Sequence, residues 1–498
     1  SFILSGPLPQ GRRAASRRPA CGATSTSDER PRTTTSGGNT LPCLAPAWRT
    51  VYTSPMRVVL AFWAALLAAS ALAADPHVYL VVVDGLGADS VDSAQMPRLF
   101  DVSLEPVRLR TEAWAAMPTR TNPNHVTLLT GALPESHGFT GNGYWSRTAG
   151  AAPENLESAA LLEMETLFTV AESTRPEMIT VGAFSKAKLG RVFADVRSRQ
   201  HAPDVLWVPE EGGLISQLTG VARDAETMDA FLAATAEREP DLAVINLSEV
   251  DRTSHQLGPR AAADAIRHAD AAIGHLVDDL HARGRWERSV LVVTADHGFD
   301  DVAPTDARPE PDVTLSEWFE AAGVPGLHVV GDGGVAHVYA DGVAPDAPDL
   351  GPATSKLAWA ASVAWRAPGV AEVLARLPVP GVSTMAAEHP DWGLTHERAG
   401  DLLVVAAPGY QFVEPRDLLT GTFKGNHGSP RERRVPLVIA GGGLGTAAPR
   451  IVTPLSSADV GMTIASLLHL RAPRRFDGGA VHAGRPIPLS WEALETGR

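Results

Sequence analysis

Cysteine is nearly missing from this chain. The 498 residues contain two, Cys21 and Cys43, both within the first 55 residues. From residue 56 onward there is no thiol. That excludes a disulfide framework and thiolate chemistry there, so any metal must be held by imidazole and carboxylate. Basic charge is also scarce. Asp and Glu outnumber Lys and Arg 57 to 43, for a net charge of −14. Residues 1–55 hold seven arginines against Asp28 and Glu29, so the acidic excess lies in the remainder. Such a body lacks the basic face that a nucleic-acid polymer requires, and none is expected as a partner. A small phosphorylated substrate held through bound metal remains compatible with this charge.

Long apolar runs are lacking too. The strongest, in "MRVVLAFWAALLAASALAAD" (56–75), has Arg57 ahead of it and ends in Ala71-Leu72-Ala73. At roughly 16 residues it is short for a bilayer span. Its layout predicts a secretory signal peptide at 56–73, with a membrane anchor or a buried helix as the other readings. Export implies a periplasmic or secreted protein with no membrane span in the mature chain. Residues 1–55 are rich in Ser, Thr, Arg, Pro and Gly without sustained periodicity, and read as a disordered or non-native upstream extension.

What the body does contain is a series of apolar, strand-like runs: "HVYLVVVDG" (77–85), "DLAVINLSEVD" (241–251), "SVLVVTADHG" (289–298), "DLLVVAA" (401–407) and "VPLVIAGGG" (435–443). Between the second and third, residues 261–284 carry apolar positions at helical spacing and stop at Gly284. Alternation of this kind predicts an α/β fold: a three-layer sandwich with a mostly parallel central sheet, over residues 74–490. Two Pro- and Gly-rich stretches, roughly 145–235 and 300–425, fit the pattern less well and are expected to hold loops and a cap. The runs "GDGGV" (331–335) and "GGGLG" (441–445) do not match a dinucleotide fingerprint and read as turns.

In open α/β sheets, ligands bind beyond the carboxyl ends of the strands. That rule selects Asp84, then Asp251 with His255 four residues later, then Asp296 and His297. Asp251 and His255 would share one face of a helical turn. His427, in "GNHGSP", follows in a Gly-rich loop. Taken singly, each has a plain reading as a surface pair, a turn or a loop histidine. Taken together, they are six Asp and His candidates. Three ligands per ion suits a two-metal catalytic site, with zinc or another divalent metal as the ion.

The stretch "MPTRTNPNH" (117–125) runs straight into the helix-like "VTLLTG". Ser, Thr and Asn cap helices and Pro suits the first turn, so capping alone accounts for much of it. The motifs "VVVDGL", "PTRTNPNHVTLLTGALPESHG", "DRTSHQLGP", "VTADHGF" and "GNHGS", in this order, resemble the alkaline phosphatase superfamily. Within it they are similar to the nucleotide pyrophosphatase/phosphodiesterase group, over roughly residues 77–490. The resemblance implies an alkaline-phosphatase-like fold and two zinc ions. It assigns one ion to Asp251, His255 and His427. The other falls to Asp84, Asp296 and His297, with Thr121 as a coordinated nucleophile forming a covalent phospho-threonine. Asn142, in "TGNGYW", matches the group's asparagine that contacts a phosphoryl oxygen. Thr121 would then stand at a helix N-terminus, which favours anions, with Asn122 and Asn124 capping or buttressing the turn and Thr119 and Thr127 structural.

Two features depart from the group. An aromatic residue often follows its nucleophile, and this chain has Asn122 there. The pair Lys186 and Lys188, in "FSKAKLG", is similar in offset to the paired lysines of phosphonoacetate hydrolases in the same superfamily, although a K-x-K pair reads more simply as a solvated strand face. The expected activity is therefore that of a phosphodiesterase or nucleotide pyrophosphatase. Phosphomonoester or phosphonate hydrolysis is the rival, and a non-catalytic metal-binding protein the remote one. No C/S-x-P-x-R motif of a sulfatase stands at the nucleophile position.

Overall fold

The structure, a computed structural model, describes residues 75–489 apart from 102–103, 106, 149, 151–152, 195–201, 415–422 and 445–453. The upstream extension and the signal peptide expected at 56–73 lie outside the described residues.

Val78–Val83 and Leu242–Leu247 are buried at every position, which requires cover on both faces of their sheet. That sheet has eight strands, in the order Leu455–Ser456, Val107–Trp114, Arg434–Ala440, Ser289–Thr294, His77–Val83, Leu242–Leu247, Thr180–Phe184 and Val205–Trp207. Every neighbouring pair is parallel except the two that involve Arg434–Ala440. The helices Asp224–Ala234, Glu249–Leu257 and Ala263–Ala282 pack together, and Thr121–Thr130 packs with Ser457–Leu467. This is the mostly parallel α/β architecture the sequence predicts. The helix Ala263–Ala282 ends before Gly284, which takes a left-handed φ of 64°.

Three expectations change. The run 435–443 looks like its neighbours, yet its strand is antiparallel, because an apolar pattern encodes burial and not direction. The run 401–407 is not in the main sheet. Leu402–Ala406 belongs to a second, four-stranded antiparallel sheet, ordered Leu327–Asp332, Val335–Ala340, Leu402–Ala406, Val370–Ala375. Its side chains alternate between two cores. Leu402, Val404 and Ala406 pack with the helix Ala353–Ala364, while Leu403 and Val405 pack with Met117, Met385 and Trp392. Burial on both faces gave an antiparallel strand the continuous apolar look of a parallel one. Finally, the stretch 145–235 supplies two strands of the main sheet, Thr180–Phe184 and Val205–Trp207.

Candidate metal centre and active site

Strand register brings the candidate ligands together. Val83 pairs with Leu247, and Val82 pairs with Thr294. Asp84, the helix Glu249–Leu257 that starts two residues past Leu247, and Asp296 therefore emerge side by side at the carboxyl edge. Buried Asp224 holds that helix in place by accepting from the N–H groups of Ser248 (2.8 Å) and Glu249 (3.1 Å). His427 arrives by a different route. Leu437 of the antiparallel strand pairs with Thr294, so the segment leading into that strand lies at the same edge.

The histidine tautomers can be assigned from their partners. His255 Nδ1 is 3.0 Å from the Gly425 carbonyl, His427 Nδ1 2.6 Å from that of Thr119, and His297 Nδ1 3.0 Å from that of Gly298. A carbonyl only accepts, so each Nδ1 donates and each Nε2 is left as a bare acceptor. Burial holds His255 and His297 down at about 4, so both rings are neutral near pH 7. The acceptors nevertheless face one another. His255 Nε2 and His427 Nε2 are 3.2 Å apart, each 3.6 Å from Asp251 Oδ1. His297 Nε2 lies 3.3 Å from Asp296 Oδ2 and 3.7 Å from Asp84 Oδ1. Asp251 Oδ1, Asp296 Oδ2 and His297 Nε2 are buried without a hydrogen-bond partner.

Clustered lone pairs with no proton between them are unfavourable unless a cation joins them, so these donor sets fit a metal ion. Asp84 adds to the case. Burial and the neighbouring Asp296 push it up to about 7, as expected for carboxylates gathered with too little counter-charge. The sets abut. Asp251, His297 and His427 also offer ligand atoms within 4.8 Å of one another, and the His297 and His427 rings stack at 3.5 Å.

Lys186 is not a solvated residue. Its ammonium is buried and donates to Asp84 Oδ1 (2.9 Å) and Asp251 Oδ2 (2.7 Å), one carboxylate from each set. Lys188 feels the same two carboxylates at longer range, without a close ion pair among the described residues. It lines a cavity of about 480 Å³ together with Thr121, Asn142, Lys186, His255 and His427.

Thr121 is the first residue of the helix Thr121–Thr130, is 1% exposed, and lines the same cavity. Asn124 buttresses the entry loop: its Oδ1 accepts from Ala116 N–H, and its Nδ2 donates to the carbonyls of Ala116, Pro118 and Arg120. Asn122 Nδ2 donates to the Leu156 carbonyl. Thr119 bonds Ser429, Gly428 and Glu432, and Thr127 bonds His137, so both serve the scaffold. The anion-binding capacity of the helix N-terminus is narrower than expected. The Asn122 N–H is committed to Asn142 Oδ1 at 3.0 Å, and Pro123 has none. The same bond turns Asn142 so that its Nδ2 remains the available donor.

Sequence reading missed several residues that touch the site. His125 donates from Nδ1 to the Thr121 carbonyl (2.9 Å) and accepts at Nε2 from Asn246 (3.0 Å), which also donates to Asp84 (3.1 Å). His125 sits at i+4 from Thr121 on one helix face, a spacing that could have flagged it. Arg120 and Asp332, which form an ion pair at 2.8 Å, carried no comparable signal.

A family model described as "Type I phosphodiesterase / nucleotide pyrophosphatase" matches residues 78–430. Ectonucleotide pyrophosphatase/phosphodiesterase family member 7 of Rattus norvegicus is 24% identical over 225 residues, 45% of this chain and 50% of the relative. The chain thus spans about half the length of the curated relatives it matches first. Two solved structures share the fold. One is murine ectonucleotide pyrophosphatase/phosphodiesterase 5, an inactive variant in complex with AMP, at 17% identity and TM-score 0.56, covering 80% of this chain and 96% of that one. The other is phosphonoacetate hydrolase from Sinorhizobium meliloti 1021 in complex with phosphonoacetate, at 18% identity and TM-score 0.58, covering 79% and 96%.

Proposed function

The chain belongs to the type I phosphodiesterase / nucleotide pyrophosphatase family, and on that premise we propose that it is a two-zinc phosphoric ester hydrolase with Thr121 as nucleophile. The observation that carries the reading is a pair of abutting donor sets with three buried, orphaned acceptor atoms, the first set lining, through Asp251, His255 and His427, the same cavity as Thr121. Asp251, His255 and His427 would hold one ion, and Asp84, Asp296 and His297 the other. When bound, the ions supply positive charge that lowers the pKa of the Thr121 hydroxyl and of water, and offsets charge on the leaving oxygen.

Thr121 Oγ attacks phosphorus in line. The bond to the leaving oxygen breaks, that oxygen takes up from solvent the equivalent of the proton Thr121 Oγ gave up and departs as the alcohol, and the phosphoryl group rests on Thr121. Water then attacks the same phosphorus from the opposite side, releasing the phosphate product and returning the threonine oxygen. Asn142 Nδ2 donates to a non-bridging phosphoryl oxygen. Lys186, held between Asp84 and Asp251, fixes the spacing of the two sets, whereas Lys188 is free to meet an anionic group on the substrate.

A phosphodiester, as in the linkage between two nucleosides, is the preferred substrate class. The unpaired Lys188 keeps a second reading in view, a monoester or a phosphonate with an added carboxylate. The protein with zinc should be assayed on an aryl phosphodiester, the matching monoester and phosphonoacetate. A kcat/KM preference of about 100-fold for the diester, on the order of 3 kcal/mol, establishes the phosphodiesterase reading. The reverse order transfers it to the monoesterase or phosphonatase, and hydrolysis of none of the three overturns the hydrolase reading. Export is part of the proposal: the secreted form should begin at Ala74, and retention of residues 56–73 would contradict the signal peptide.

A further inference from the structure

The run GDGGV is a turn, as its sequence suggests, but its tip lies inside the site. Asp332 pairs with Val335 across Gly333–Gly334, joining two strands of the second sheet. Asp332 is 4% exposed. Its Oδ1 lies 2.8 Å from Nε of Arg120, the residue before Thr121. Its Oδ2 accepts at 3.1 Å from the backbone N–H of Asn142, whose own Oδ1 accepts from Asn122, the residue after Thr121. Arg120 Nη1 donates onward to the His427 carbonyl (3.0 Å) and Asn426 Oδ1 (3.2 Å). One carboxylate thus ties down the chain on both sides of Thr121.

The approach is close at every point. A Cβ on Gly141 would stand 2.7 Å from Asp332 Oδ2. Gly333 has a φ of +67°, and a Cβ there would run into the His427 carbonyl and reach 2.8 Å from Arg120 Nη1. The Gly334 N–H donates to that same carbonyl at 2.9 Å.

We propose that Asp332 is a positioning residue for phosphoryl transfer, contributed by the second sheet: it aims Arg120 and Asn142, and through them Thr121, without binding metal. The inference rests on the hydrolase reading above. An amide at 332 keeps the shape but cannot serve both partners, since its NH₂ end would face an N–H, and it leaves the Arg120 charge unopposed in a buried place.

The test compares Asp332→Asn, Arg120→Met and the double variant, all in the full zinc-loaded protein. Asp332→Asn should lower kcat about 10- to 100-fold with KM within about threefold, as expected when orientation is lost and ground-state binding kept. Metal content should match wild type, and the far-UV circular dichroism spectrum at the assay temperature should be that of the folded protein, although the melting temperature falls because the Arg120 charge loses its partner. The double variant should lose less than the product of the two single losses, because Arg120 is one of the two groups that Asp332 holds, and the remainder reports the Asn142 arm. Orthovanadate, which adopts the five-coordinate geometry of the transfer, should bind about tenfold more weakly to Asp332→Asn.

Wild-type kcat in Asp332→Asn overturns the inference, as does a loss of rate accompanied by loss of metal or by unfolding at the assay temperature. Rate losses that multiply in the double variant do so too. The vanadate measurement separates this inference from the reading beneath it. If the wild type hydrolyses no ester, the hydrolase reading fails, while equal vanadate affinity in wild type and Asp332→Asn refutes the positioning role by itself.

Discussion

The main sheet supplies the site with charge from its strand ends: Asp84 after one strand, Asp251 and His255 on the helix after the next, Asp296 and His297 after a third. The second sheet reaches the same place with a hairpin tip, Asp332–Gly333–Gly334, and brings no member of a metal-ligand group among the described residues. The first arrangement gathers acceptors that repel one another and are left without partners, which suits a cation. The second sets opposite partners face to face: Asp332 ion-pairs with Arg120 and accepts from the Asn142 N–H, and the Gly334 N–H donates to the His427 carbonyl. Groups meant to hold an ion can be mutually frustrated in its absence, whereas groups that hold protein atoms in position must already be paired.

That contrast predicts different kinds of damage. The largest should follow His427→Ala, which removes an acceptor from the first set. Zinc should fall from two toward one per chain, with kcat/KM down about 1,000-fold or more. Two tightly held ions, read by elemental analysis, would remove His427 from the ligand set. Asp332→Asn, by contrast, should lose rate and keep both ions. If it sheds zinc, the division of labour between the sheets is wrong. Lys188→Ala should be milder and selective. It should weaken monoester or phosphonoacetate hydrolysis about tenfold or more, as expected for a charge-assisted contact, with the diester spared, and equal losses on every substrate would make Lys188 a general electrostatic residue. The smallest effect on turnover is expected from Leu357→Ala in the core of the second sheet. It should cost about 2–5 kcal/mol of stability, seen as a lowered denaturation midpoint, with kcat unchanged. A large fall in kcat would show that the whole sheet, and not its hairpin tip, governs the site.

The strand-end candidates were legible because the rule that selects them is local: an apolar run, then an acid or histidine, read within ten residues. Burial was legible for the same reason, and direction was not, so the antiparallel strand Arg434–Ala440 and the misplaced run 401–407 went unrecognised. Asp332 is over 200 residues from Thr121 and reaches it only because two sheets meet, and no periodicity records that contact. Lys186 shows an intermediate case. Its spacing from Lys188 marked the pair, but a two-residue period cannot say that one ammonium joins two carboxylates while the other faces the cavity. The expectation that a helix N-terminus would offer free N–H groups was narrowed by a detail of sequence, Asn122 and Pro123, that the general rule does not weigh.

The central claim is that Thr121 is the nucleophile on a site that assembles without it. Thr121→Ala, prepared with zinc beside the wild type, tests this most directly through turnover and metal content on the same samples. The account predicts two zinc ions per chain, no measurable hydrolysis of the best substrate, and a phosphorylated residue 121 trapped from the wild type by acid quench and found by mass spectrometry. Turnover near the wild-type rate in Thr121→Ala, or a phosphoryl group on some other residue, would contradict it.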